Sequence, residues 1–228
     1  MLPAIILYGS RARGDFRYNS DVDLLLASTG VEPETPTLAA GVSLHRYPRS
    51  WLQKEANSGS LFVYHVANEG VGLEDRGGLL IALREGFRRK PSYASEIRTA
   101  TLIIKMLIES DWGANSAAQR RYFWALRTTL VGASAEVGIP KYAAEQLELL
   151  SAINGVADLI NHRDQSTFID CHNIGKKVLE KYLISSDRDL HGENLRDFLM
   201  NEGGVSMDTV RIIEESEAIS IGGLSVYN

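Results

Sequence analysis

Cysteine is almost absent. Cys171 is the only one in 228 residues, so no disulfide can close within the chain, and a reducing, cytoplasmic setting is expected. The simplest role for a lone thiol is that of a small buried side chain on a helix. Long apolar runs are missing as well. No stretch approaches the roughly 20 residues of a membrane helix, and Met1 to Leu7 carry no basic segment, so no signal peptide is expected. Basic excess is also lacking. Residues 1–91 hold 11 basic and 10 acidic side chains, and residues 92–228 hold 13 and 19, so neither half is the basic body of a general nucleic-acid binder. Low-complexity tracts and internal repeats are not found, and the apolar and charged fractions, 44% and 23%, are those of an ordinary globular protein.

The informative residues stand near the beginning. Tyr8-Gly9-Ser10-Arg11-Ala12-Arg13-Gly14-Asp15 follows a short apolar run, and Ser20-Asp21-Val22-Asp23 opens a second run, Leu24-Leu25-Leu26. A Gly-Ser turn offers backbone N–H groups and a hydroxyl with little side chain to block a polyphosphate. A helix starting at Ser10 would turn its unpaired N–H groups toward the same anion. Asp21 and Asp23 are two apart, so an extended strand sends both carboxylates to one side. Two like charges held close call for a cation, and Mg²⁺ is typically bound by one or two carboxylates plus substrate phosphate oxygens.

Gly9-Ser10 followed at this spacing by Asp21-x-Asp23 resembles the signature of the nucleotidyltransferase superfamily that includes DNA polymerase beta and the aminoglycoside nucleotidyltransferases. The Gly-Ser-Arg-Ala-Arg-Gly-Asp and Ser-Asp-x-Asp segments look especially like the minimal nucleotidyltransferases of bacteria and archaea. The resemblance implies that Asp21 and Asp23 are the catalytic carboxylates and the ligands of Mg²⁺ or Mn²⁺. It also implies that Gly9 and Ser10, with Arg11 and Ser20 beside them, hold the triphosphate of an NTP such as ATP. Arg13 is a further candidate for phosphate contact, behind Arg11. The implied reaction moves a nucleoside monophosphate to a hydroxyl acceptor, a small molecule or a protein, and releases pyrophosphate.

Such families commonly supply a third carboxylate from a later strand. The matching strand here, Val42 to Tyr47, contains no acid; His45 is its titratable base, and Glu69, Glu74 and Asp75 are the other candidates. An alternative function is therefore a nucleotide-binding, regulatory module with weak or no turnover. A third is a helical interaction protein with a vestigial α/β domain.

The expected fold class is α+β: a small mixed β-sheet domain over residues 1–90, then a helical bundle over residues 91–228. Strands are expected at residues 4–8, 22–27 and 42–47, with a Pro/Thr/Gly-rich loop from Ser28 to Ala40. Residues 48–57 read as a short helix. Leu61 to Val66 reads as strand or helix, and Gly70 to Leu73 as a last strand or turn. Arg84, Arg88, Arg89 and Lys90 read as a solvated helix end, with contact to a phosphate in a cleft between domains as the alternative.

Beyond Pro91 the apolar period becomes helical. Four amphipathic helices are expected, through Tyr93–Ile108, Tyr122–Ala133, Leu147–Ile160 and Phe168–Leu183, with short helices in the remainder before the Gly-rich tail. This half has some resemblance to the HEPN helical domains that accompany minimal nucleotidyltransferases. Arg120, Arg121 and Arg127 have no His downstream within reach, so ribonuclease activity is not expected. Tyr122, Phe123 and Trp124 read as core, with an acceptor-binding face as the alternative. No general nucleic-acid partner and no membrane are expected, and a homodimer is allowed.

Overall fold

The computed structural model describes residues 3–18, 20–30, 34–39, 41–110, 112 and 115–224. The chain forms two compact units, Met1–Pro91 and Ser92–Asn228.

The first unit is built on a five-stranded mixed sheet. Its strands are β1 (Ala4–Tyr8), β2 (Val22–Ser28), β3 (Glu34–Ala39), β4 (Val42–Pro48) and β5 (Val71–Glu74), in the order β3-β4-β2-β1-β5. Strand β2 runs antiparallel to β1 and parallel to β4, and β3 and β5 are antiparallel edges. Ser28–Ala40 does not form one continuous loop: its second half pairs with β4 as an edge strand. Edge strands are commonly short and polar, and Glu-Thr-Pro-Thr carries no apolar alternation to betray one.

One sheet face is covered by α2 (Arg49–Asn57), α3 (Leu61–Glu69) and α4 (Leu79–Gly86). Ala4, Ile6, Leu25 and Ala27 from the strands meet Leu52, Val63, Val66, Leu79 and Leu83 from the helices, all buried. Full burial of each such aliphatic side chain stabilises by roughly 1.5–3 kcal/mol relative to exposure. Leu61–Val66, ambiguous by period, is helical and packs Val63 and Val66 into this core. Helix α4 had no clear sequence signal; Asp75 starts it, accepting bonds from the Leu79 and Leu80 amides at 2.6 and 3.0 Å.

Among the described residues the second unit contains α5 (Ala94–Glu109), α6 (Ser116–Glu136), α7 (Ala144–Ser151), α8 (Val156–Asn161), α9 (Phe168–Tyr182), α10 (Gly192–Glu202) and α11 (Gly204–Leu224). Helix α5 is its central rod: Ala100 through Leu107 are all buried, as for a helix enclosed on every side. Gly175 on α9 lets that helix approach closely, since a Cβ there would stand 2.9 Å from Ile108 Cγ2. The expected third helix is in fact two, α7 and α8. Ala152 adopts a left-handed conformation, φ 51°, and Gly155 precedes α8 with φ 96°. The apolar period runs across this break and concealed it. Beyond the fourth expected helix, where short helices were expected, stand α10 and the longer α11, and the unit's all-α character holds.

Candidate active site

Strand β1 delivers the chain to Gly9, and α1 (Ser10–Arg13) follows at once. Gly9 adopts φ 77°, ψ −158°, a left-handed φ that favours glycine. A second constraint acts there. A Cβ on Gly9 would stand 2.5 Å from Asp23 Oδ2, so the Gly-Ser turn is pressed against that carboxylate and leaves no room for a side chain. The pairing of Tyr8 with Asp23 across β1 and β2 creates this approach. Asp21 is the residue just before β2, and Asp23 lies inside it. The structure thus brings Gly9, Ser10, Asp21 and Asp23 to one end of the sheet.

The loop between α1 and β2 is held by Arg11. Its Nε and Nη2 donate to the Ser20 carbonyl at 3.1 and 2.7 Å, and its guanidinium lies 5.0 Å from the Phe16 ring centroid. Ser20 Oγ accepts from the Arg17 amide at 2.8 Å. Arg11 and Ser20 are therefore bound to each other, with the Ser20 hydroxyl turned to the loop. Arg13 is engaged elsewhere: Nε with Asp15 at 2.9 Å and Nη1 with Glu69 at 3.2 Å.

The candidates for a third carboxylate occupy other roles. Glu69, at the end of α3, binds Arg13 and lies 2.8 Å from His65 Nδ1. Burial pushes the Glu69 carboxyl up, but the hydrogen bond and charge of His65, with those of Arg13, outweigh it and hold it below its ordinary value. Glu74 pairs with Arg76, and Asp75 starts α4. Among the described residues no group of three His, Cys, Asp or Glu side chains could hold a metal.

In β4, Ser43 is the register partner of Asp23 and His45 that of Leu25. Register partners share a sheet face, and so do residues two apart, so Ser43 and His45 stand on the Asp23 side. Ser43 Oγ and His45 Nε2 are 3.1 Å apart. Burial lowers the His45 pKa, which keeps the ring neutral near pH 7. Tyr8 lies between two imidazoles, 6.2 Å from His45 and 5.8 Å from His65 by ring centroids. Burial first, then the Asp23 and Tyr47 charges, raises its phenol pKa, so it stays protonated. The Ser43–His45 pair was not recognised in the sequence as a unit; Ser-x-His on one strand was the available signal.

The features of the second unit have structural explanations. Tyr122 and Phe123 are buried, whereas Trp124, also read as core, is exposed beside the Arg121 guanidinium. The Tyr122 hydroxyl donates to the Cys171 carbonyl at 2.6 Å. Burial, then the Asp170 charge, pushes the Cys171 thiol up to about 12, so it is no nucleophile at neutral pH. In the first unit, Arg88 of the basic cluster donates to the Glu85 and Phe87 carbonyls at the end of α4. No helix among the described residues is long and apolar enough to cross a membrane.

No curated protein matches the chain. Among solved structures, a nucleotidyltransferase-like protein from Exiguobacterium sibiricum 255-15 aligns over 92% of this chain and 74% of its own, with 18% identity and a TM-score of 0.31. Residues 4–76 match the sequence model of the family described as "Nucleotidyltransferase domain". That span runs from β1 through β5 and includes every residue of the Gly-Ser turn and the Asp21/Asp23 pair. The first unit of this chain thus carries a nucleotidyltransferase domain of the polymerase-beta-like kind.

Proposed function

We propose that this domain binds an NTP together with Mg²⁺ or Mn²⁺ and transfers a nucleoside monophosphate to a hydroxyl acceptor, releasing pyrophosphate. The observation that carries the reading is the contact between the Gly9 backbone and the Asp23 carboxylate, which a single added carbon would fill. A backbone kept bare beside a carboxylate suits a triphosphate laid along the turn.

The donor set fits a hard divalent cation. Asp21 and Asp23 offer oxygen ligands, and the remaining positions suit phosphate oxygens and water. When bound, the cation supplies charge neutralisation at the reacting phosphoryl group and orients its oxygens. The residues supply position. The Gly9-Ser10 turn faces the triphosphate with backbone N–H groups and the Ser10 hydroxyl. Arg11 acts on the carbonyl of Ser20, next to Asp21, and so fixes the approach of the carboxylate pair. The acceptor hydroxyl belongs on the open side of Asp23, toward β4.

A catalytically silent nucleotide-binding module is the second reading. It is favoured by the lack of a three-carboxylate group among the described residues. One experiment separates the two. The protein and its Asp21→Asn/Asp23→Asn variant are mixed with each α-³²P-labelled NTP, Mg²⁺ or Mn²⁺, and a bacterial extract, with calorimetry of NTP binding alongside. Transfer of label to an acceptor by the unaltered protein alone supports the transferase. Metal-dependent NTP binding without transfer supports the silent module, and the lack of both overturns the site.

A further inference from the structure

We propose that Ser43 is itself a nucleotidyl acceptor: with an NTP held at Asp21 and Asp23, Ser43 Oγ is nucleotidylated, and His45 Nε2 takes its proton. This rests on the proposed function and adds a covalent modification site to it.

Register places the group. Ser43 pairs with Asp23 between the parallel strands β2 and β4, so the two side chains stand next to each other on one face. A hydroxyl occupies the strand neighbouring the metal-binding aspartate, and β4 has no acid. The pairing of Ser43 with His45 supplies the activation. A serine hydroxyl is a weak nucleophile at its own pKa and needs an adjacent base within hydrogen-bond reach; His45 Nε2 is 3.1 Å from Ser43 Oγ. Ser43 and His45 are each half-buried, so neither is sealed from a ligand.

The imidazole has few other polar options. Its Nδ1 is buried and has no hydrogen-bond partner among the described residues. Tyr47 stacks parallel to the ring on one side, and Tyr8 meets it edge-on. A buried ring nitrogen without a partner is costly, and an unsatisfied group in a folded protein calls for an explanation. Use of Nε2 as a base toward Ser43 accounts for retaining a histidine at this apolar position. The ring proton then resides on Nδ1, and Nε2 accepts from Ser43.

The step balances without any further reactant. The Ser43 Oγ–Pα bond forms and the bond from Pα to the bridging oxygen of the β-phosphate breaks. Pyrophosphate leaves with that electron pair, and the hydroxyl proton passes to His45. The product is a phosphodiester at Ser43, which occupies the place an external acceptor would need.

The test uses the full chain with Mg²⁺ or Mn²⁺ and each NTP in turn, without added acceptor. Intact-mass spectrometry is expected to show a gain of one nucleotidyl group, and fragmentation to place it on Ser43. Ser43→Ala should lose the modification at least 100-fold, Ser43→Thr should retain it at that position, and His45→Gln should slow it by about 10²-fold or more. The rate should also fall as pH is lowered and His45 protonates. An unmodified protein that nevertheless binds NTP by calorimetry overturns the Ser43 assignment and leaves the nucleotide site standing. Label on another residue, or label undiminished in Ser43→Ala, overturns it too. Absence of NTP binding overturns the proposed function and this inference together.

Discussion

Gly9 and Asp23 constrain each other across the turn that leaves β1. The sequence alone supplied the reason for a glycine, namely access for phosphate; the structure adds that the neighbour it must clear is the Asp23 carboxylate. Gly9→Ala tests the two constraints separately. Holding alanine at φ 77°, ψ −158°, a region open essentially to glycine alone, costs roughly 1–3 kcal/mol, which in a domain of this size lowers the melting temperature by several degrees. The new methyl also has to displace Asp23 Oδ2. Metal-dependent NTP affinity in that variant is therefore expected to fall at least tenfold, while the protein remains folded. Calorimetry beside a thermal melt reads both, and unchanged affinity would remove Asp23 from the nucleotide site. Arg11 was less legible. Its adjacency to Ser10 suggested phosphate contact, yet its guanidinium is committed to the Ser20 carbonyl, a contact across nine positions of sequence that no periodicity announces.

Glu69 joins two elements, since Arg13 of α1 and His65 of α3 both reach its carboxylate. Its folded-state pKa is depressed below the ordinary 4.5. The contribution of Glu69 to stability is therefore full above the ordinary carboxylate range and is lost as pH falls through the depressed value. Glu69→Gln should cost roughly 1–2 kcal/mol at pH 7, and the gap from the unaltered protein should narrow as the buffer is acidified below about pH 4.5. Urea midpoints measured from pH 7 to pH 3 would show it; a gap that stayed constant would mean that Glu69 is not ionised in the folded state. Elements marked by a compact apolar run or a helical apolar period, such as β1, β2, β4 and α5, were readable in advance. Those set by other physics were not. Strand β3 exists because β4 has an edge to pair, and the α7/α8 break exists because Ala152 turns left-handed. Helix α4 begins where the Asp75 carboxylate accepts from the Leu79 and Leu80 amides, a contact that no apolar period shows. The strand read as the expected source of a third acid, and found to have none, pairs with β2, and the register shows that Ser43 stands beside Asp23.

Each unit of the molecule has a core of its own, one beneath the sheet and one around α5. Every residue of the candidate site belongs to the first unit, Met1–Pro91. Ligand binding stabilises whatever must be folded to bind, by roughly 2.7 kcal/mol when the free ligand is at 100 times its dissociation constant. That free energy should therefore appear where the first core opens. Amide hydrogen exchange with and without a saturating NTP and Mg²⁺ measures its distribution. Slowly exchanging amides of β1, β2 and α3 are expected to gain about a hundredfold in protection, and those of α5, α6 and α9 little. Equal gains in both units would mean that the sheet and the α5 bundle unfold as one cooperative body, and the second unit would then share directly in the energetics of nucleotide binding. A gain confined to the first unit would mean that α5 to α11 take no share in the energetics of nucleotide binding.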